Sequence, residues 1–155
     1  MRNNSIFAGV CLPDEIMKEF QANAELEEVL LKNGFNETSH ESDRIKGKKR
    51  FKLTQRGRKE IYFDYVNIHI QSTHSRHDSR ITLNEKELRL MLLFFKLGTK
   101  DIEEVIFDGC YKIDEAAARY QALQEELDFH TKYTMRRGRK KVIERIINTY
   151  NSITI

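Results

Sequence analysis

Residues 84–98, NEKELRLMLLFFKLG, constrain the fold most, because their centre is apolar on nearly every side. Asn84 suits a helix N-cap, Glu87 three positions later completes a capping box, and Gly98 suits the position just after a helix end. A helix that is apolar from Leu90 to Phe95 is enclosed by a domain rather than laid on its surface. The sequence therefore predicts a central buried helix that other elements must surround.

A two-stranded ribbon is predicted upstream of this helix. RFKLT at residues 50–54 alternates polar and apolar residues, and EIYFDYVNIHIQ at residues 60–71 is rich in β-branched and aromatic residues. The intervening QRGR contains Gly57, which supplies a positive φ readily. The pattern predicts a hairpin with a basic tip.

The rest of the chain is mostly helical in pattern. Residues 13–33 predict a helix that Asn23 splits by capping its second part, and Gly34 and Phe35 are typical of a helix end. Residues 36–47 indicate a loop. Further along, the predicted elements are a short strand at 80–83, a short helix within 99–109, an amphipathic helix at 114–129 and a last helix at about 140–151.

These elements predict an α+β fold with N-terminal helices, a basic β-hairpin or ribbon, and a mainly helical C-terminal half. At 155 residues the chain is expected to form a single domain, residues 1–155, with 1–75 and 76–155 as an alternative subdivision.

Cysteine usage and hydropathy indicate the cellular compartment in which the protein is expected. Cys11 and Cys110 form no CxxC pair, so reduced, buried thiols are expected rather than zinc ligands or a disulfide. The N-terminal apolar run is too short for a signal peptide, and no run approaches the roughly 20 residues of a membrane span. We therefore expect a cytoplasmic protein without a membrane partner.

Charge is strongly segregated, although the formal net charge is only +3. Acids dominate residues 14–41, whereas residues 44–59 contain no acid and many lysines and arginines. A second basic cluster spans residues 132–141. Such segregation allows a chain of modest net charge to present a strongly positive surface.

Arg-Gly-Arg-Lys occurs in both basic clusters, at residues 56–59 and 137–140. The first copy is predicted at the hairpin tip, and the second in a connection between two helices or in a wing. In both, the arginines are expected to be exposed, namely Arg56, Arg58, Arg137 and Arg139.

The Arg-Gly-Arg core resembles AT-hook peptides, whose arginines lie along the DNA minor groove, although the flanking prolines of that family are absent here. Residues 78–109 resemble a ribbon-helix-helix DNA-binding unit, in which the strands of two subunits pair in the major groove. That resemblance implies core positions for Ile81 and Leu83, and a homodimer. It implies DNA contacts for Arg80, Thr82 and Asn84, and phosphate contacts for Thr99 and Lys100.

The same region is also similar to a winged-helix domain, with residues 114–129 as recognition helix and residues 130–143 as wing. The segment around residues 50–62 likewise resembles a wing, because a strand containing Leu-Thr precedes a basic glycine turn. Both families bind DNA, so the two resemblances imply the same class of function.

We therefore expect a non-enzymatic nucleic-acid-binding protein, with DNA favoured over RNA, acting as a regulator or accessory factor of a mobile element or phage. No cofactor or metal is expected. The candidate binding residues are Lys48, Lys49, Arg50, Lys52, Arg56, Arg58, Lys59, Arg80, Arg136, Arg137, Arg139 and Lys140.

Three alternatives stay open. A protein–protein module or inhibitor would dock through the segregated acidic and basic surfaces. RNA binding would use Tyr62, Phe63 and Tyr65 to stack bases on a basic ribbon. A metal-dependent nuclease would use Asp64 and His69, but its strand pattern lacks a second carboxylate for Mg²⁺. His69, His74 and His77 are close in sequence without a complete set of metal ligands.

Overall fold

The computed structural model describes residues 18–53, 59–72, 78–106, 110–130 and 136–155, without the side chain of His130. The fold is α+β as predicted, with strands in the N-terminal half and helices mainly in the C-terminal half. The strands are β1 Glu19–Gln21, β2 Asn36–Glu37, β3 Lys49–Lys52, β4 Glu60–Phe63, β5 Ile68–Gln71, β6 Asp78–Arg80 and β7 Thr82–Asn84. The helices are α1 Ala24–Lys32, α2 Glu41–Ile45, α3 Glu85–Lys96, α4 Ile113–His130 and α5 Arg137–Asn151, with a 3-10 helix at Ile102–Glu104.

The strands β2 to β6 form one antiparallel sheet in chain order. The predicted hairpin is confirmed, because β3 pairs with β4 and places Arg50 opposite Tyr62. Residues opposite one another in antiparallel strands share a face. Phe51, Ile61 and Ile70 lie in one such row and are buried in the core, so the row that contains Arg50 and Tyr62 lies on the other face.

Residues 19–21 form a strand, so the prediction of helix from residue 13 is wrong for that segment. They pair with β7 of the same chain, with Phe20 opposite Leu83. Both side chains are buried, and this non-local contact outweighs local helix preference. The predicted cap at Asn23 is confirmed, since its side chain accepts from the N–H groups of Glu25 and Leu26.

The end of α1 agrees with the prediction, whereas the segment that follows it does not. Gly34 has φ +93, and the amide of Phe35 donates to the carbonyl of Leu30, which confirms the glycine end. The prediction of a loop over residues 36–47 is wrong, because β2 and α2 lie there. The backbone N–H of His40 bonds the carboxylate of Asp43, which closes a capping box over this short polar helix.

The helix α3 is the centre of the core, as predicted. Seven of its residues are buried: Leu88, Leu90, Met91, Leu92, Leu93, Phe94 and Phe95. Its capping box is also confirmed, because the Asn84 side chain accepts from the Glu87 amide at 2.8 Å and Glu87 bonds back to the Asn84 amide. The ring of Tyr111 stacks on Phe94 with 3.9 Å between centroids, and its hydroxyl donates to the Leu90 carbonyl.

The helices α4 and α5 pack on α3 and on each other. The α4 helix confirms the amphipathic prediction, whereas α5 begins at Arg137 rather than at about residue 140. Arg89 donates to the carbonyl of Ile153, and Arg145 forms a two-pronged ion pair with Asp101. These two contacts set α5 antiparallel to α3, so the start of α5 lies at the C-terminal end of α3.

The capping box of α3 supplies a stability prediction. Replacing Asn84 by Ala removes the acceptor for the Glu87 amide, and we expect the free energy of unfolding in urea to fall by about 1 kcal/mol. Asn84→Asp keeps an acceptor at the same position and should retain most of the stability. Equal losses in the two variants would contradict a capping role.

Candidate nucleic-acid interface

The predicted binding residues of strand β3 are paired with acids of the same chain. Lys49 contacts Glu27 of α1 at 3.0 Å, and Lys52 lies 3.9 Å from Glu60. Arg50 bonds Asp43 at 2.8 Å and also Glu60. The hydrogen bond from Arg50 lowers the pKa of the Asp43 carboxyl, assisted by the amide of His40. The acid-free segment is therefore neutralised in part by acids from α1, α2 and β4.

A stack of flat groups crosses the polar face of the sheet. The guanidinium carbon of Arg50 lies 4.5 Å from the ring centroid of Tyr62, and the His69 ring stacks on Tyr62 with 4.6 Å between centroids. The Nζ of Lys48 lies 5.4 Å from the same centroid. Tyr62 is consequently buried, and burial raises the pKa of its hydroxyl.

Lys59 ends the first Arg-Gly-Arg-Lys and caps the C-terminal end of α3. Its Nζ lies 3.0 Å from the carbonyl oxygen of Phe94, 3.4 Å from that of Phe95 and 3.3 Å from that of Leu97. A cation is stabilised there by the unpaired carbonyls and by the helix dipole. Burial acts in the opposite direction and lowers the pKa of the Lys59 ammonium to about 8.

Arg80 is enclosed by three carboxylates from three elements. It bonds Glu87 of α3 and, at 2.9 Å, Asp114 of α4, and it lies 3.6 Å from Asp78. Asp78 in turn accepts from the amide of Ile113. Arg80 therefore joins the sheet to the helices.

The second Arg-Gly-Arg-Lys forms the first turn of α5, so its prediction as a connection between helices is wrong. Arg136, Arg137 and Lys140 are exposed. Arg139 is half-buried rather than exposed, because it bonds Glu126 at 2.7 Å and Glu104 at 2.8 Å. These bonds raise the pKa of the Arg139 guanidinium above its ordinary value.

Lys59, the last residue of the first Arg-Gly-Arg-Lys, and Arg139 of the second both contact the chain at or after the C-terminal end of α3. Lys59 contacts carbonyls of residues 94–97, and Arg139 contacts Glu104, a few positions further along the chain. Lys100 is exposed between these points, beside Asp101, whose pKa is lowered mainly by the hydrogen bond from Arg145 and to a smaller extent by the charge of Lys100. We call this group the basic end; it consists of Lys59, Lys100, Arg136, Arg137, Arg139 and Lys140.

Arg56, Gly57 and Arg58 lie outside the described residues. The predicted exposure of the two arginines and the predicted positive φ of Gly57 therefore stay predictions. Their neighbours on both sides are described. Leu53 follows β3, and Lys59, which precedes β4, is fixed to the end of α3.

Sequence reasoning missed the geometry of the connection between α2 and β3. Arg44 and Lys46 are exposed there, and the ring of Tyr65 lies against Gly47. Of the three aromatics considered for stacking, Tyr62 and Phe63 are buried, whereas Tyr65 is 86% exposed. In the sequence, the feature that could have indicated this geometry is Gly47, a glycine inside the acid-free residues 44–59.

The residues that carry the ribbon-helix-helix resemblance lie as follows. Leu83 is buried as expected, but Ile81 is 66% exposed, so its predicted core position is wrong. The side chain of Asn84 is engaged in capping α3. The strand β7 pairs with β1 of its own chain, whereas in that family such strands pair between subunits.

The Asp64–His69 pair has a structural role in the turn between β4 and β5. The Asp64 carboxylate accepts from the amides of Val66 and Asn67 at 2.9 Å, which lowers its pKa, and it lies 3.2 Å from Nε2 of His69. Within the described ranges, no three His, Cys, Asp or Glu side chains are grouped so as to hold a metal ion. His74 and His77 lie outside those ranges, and Cys110 is half-buried with a free thiol.

No family model, curated protein or solved structure matches this chain. Among the helices of the described part, none has the length and apolar character needed to cross a bilayer.

The pKa of Lys59 gives a pH prediction. The value is about 8 in the folded protein, against 10.5 for an ordinary lysine. Between these values the unfolded chain binds more protons than the folded one, so the contribution of Lys59 to stability rises with pH. We expect the free energy of unfolding of the wild type, relative to Lys59→Met, to increase from pH 8 to pH 10. A difference independent of pH would contradict a buried ammonium at this position.

Proposed function

We propose that the protein is a non-enzymatic nucleic-acid-binding protein, with duplex DNA as its ligand and the basic end as its main contact. The observation that supports this most directly is that Lys59 and the start of α5, which belong to basic segments far apart in sequence, both lie near the C-terminal end of α3. Several cations held on a rigid core can contact successive phosphates of a duplex. Each neutralised phosphate releases counterions, which favours binding.

The start of α5 adds a second reason. Its first turn contains no acid, while Arg137, Arg139 and Lys140 are all basic. Positive side chains at a helix N-terminus oppose the helix dipole, so this arrangement opposes helix stability. For Arg139, Glu126 and Glu104 offset part of this unfavourable interaction with the helix dipole. Within the described part of the chain, no acidic partner is present for Arg136, Arg137 or Lys140. A local arrangement that opposes stability is typical of a functional surface.

The basic end supplies phosphate contacts, which position a protein on DNA without reading sequence. The charges of Lys59 and Arg139 are already engaged with carbonyls and carboxylates. We therefore assign the phosphate contacts to Lys100, Arg136, Arg137 and Lys140. The engaged pair holds the surface in place, and DNA contacts of Arg56 and Arg58 stay a prediction.

A protein partner is the second candidate function, and one face of α1 favours it. Leu31 is 56% exposed, and Glu28, one turn before it, is exposed too. An apolar side chain beside a carboxylate suits a basic protein surface. In that case the purified protein would bind no nucleic acid.

The test is the salt dependence of duplex binding. We expect the affinity of the wild type for a mixed-sequence duplex to fall steeply between about 50 mM and about 200 mM salt. Replacing Arg136, Arg137 and Lys140 together by Gln should weaken binding and reduce the salt slope by about 1 for each lost phosphate contact.

The matched control replaces Lys32, Lys86 and Lys112 by Gln, which removes the same charge from exposed positions outside the basic end. Its slope should stay that of the wild type. Equal slopes in the two triple variants would show that net charge, rather than the basic end, determines binding. A wild-type affinity that is insensitive to salt would exclude the proposed function.

A further inference from the structure

Tyr65 is an exposed aromatic residue held on a fixed turn. It lies between β4 and β5, where the Asp64 carboxylate accepts from the amides of Val66 and Asn67 and the Asp64 amide donates to the Asn67 carbonyl at 3.1 Å. These three bonds determine the path of the backbone through residue 65. The side chain is nevertheless 86% exposed, and no other part of the described fold covers it.

The Tyr65 ring lies against Gly47 in the connection between α2 and β3. A Cβ atom at position 47 would lie 2.5 Å from both Cζ and the hydroxyl oxygen of Tyr65, so only glycine leaves room for the ring. Gly47 also has φ +71, a conformation that other residues rarely adopt. The glycine thus positions the ring against the backbone and leaves most of its surface open.

Cations lie on both sides of Gly47. Arg44 and Lys46 are exposed, and Lys48 is half-buried with its Nζ over Tyr62. No carboxylate within the described ranges pairs with any of the three, whereas Lys49 and Arg50, the next two residues, are both paired. Among residues 44–50 the unpaired charges therefore lie within three positions of Gly47, the residue that the Tyr65 ring approaches.

We propose that this surface binds unpaired nucleotides, with a base stacked on Tyr65 and the neighbouring phosphates held by Arg44 and Lys46. The proposal rests on the proposed nucleic-acid-binding function and adds a single-stranded ligand and a second site. Base–aromatic stacking beside a basic track is the usual chemistry of single-strand binding, and it needs no sequence preference.

An acidic protein segment is the other ligand that such charges attract. The exposed side chains of Ile45 and Val66 flank the connection and the turn, and would add apolar contact for either ligand. The nucleic acid is favoured because a flat ring that a turn and a glycine hold in place matches the face of a base, while the unpaired cations of the adjacent connection suit phosphates.

The experiment compares two probes with the full chain, an oligothymidylate of about 12 nucleotides, within the usual site size for such surfaces, and a blunt duplex. Tyr65→Ala should weaken oligothymidylate binding about five-fold or more, the loss expected for one base–aromatic stack, and leave duplex binding unchanged. Tyr65→Phe keeps the ring and should bind like the wild type. Thermal melting of each variant checks the fold, which an exposed side chain should not alter.

The outcomes separate this inference from the proposed function. Unchanged oligothymidylate affinity in Tyr65→Ala, or an equal loss for both probes, would overturn the stacking role while leaving duplex binding at the basic end in place. Binding of polyglutamate in preference to oligothymidylate would assign the surface to an acidic protein. Failure of the wild type to bind either nucleic acid would remove both proposals.

Discussion

The burial of α3 is the constraint on which the rest of the structure depends. The terminal N–H and C=O groups of a helix with seven buried residues have little access to water, so side chains satisfy them. Asn84 and Glu87 do so at the N-terminus, and Lys59 does so at the C-terminus. Lys59 immediately precedes β4, so its contacts with the carbonyls at the end of α3 also attach the β3–β4 hairpin to that end of the helix. The position of one charged surface thus follows from a requirement of the core.

Ion pairing determines which of the many cations stay available to a ligand. Glu27 of the acidic segment neutralises Lys49 on the sheet, and Asp43, just after that segment, neutralises Arg50. Glu27 therefore has a structural role in pairing a cation of the sheet. The unpaired cations of the described ranges include those around Gly47 and those at the start of α5, which are the two surfaces proposed to bind nucleic acid.

Local patterns were sufficient to predict the elements whose stability is local. The capping box of α3, the glycine end of α1, the β3–β4 hairpin and the amphipathic α4 all follow from spacing within a few residues. The strand β1 was missed because it exists through pairing with β7, more than 60 positions along the chain. Likewise, Lys59, Arg80 and Arg139 read as free cations in the sequence, since their partners lie on other elements. Charge alone cannot distinguish a cation that binds a ligand from one that closes a helix or joins two elements.

The central claim is that one end of the molecule, and not the positive charge as a whole, contacts DNA. Acetylation of lysines by a water-soluble reagent, read by mass spectrometry with and without a bound duplex, tests it most directly. We expect DNA to protect Lys100 and Lys140, while Lys32 and Lys86, exposed elsewhere on the protein, react as in the free protein. Equal protection of Lys32 and Lys86, or no protection of Lys100 and Lys140, would contradict it.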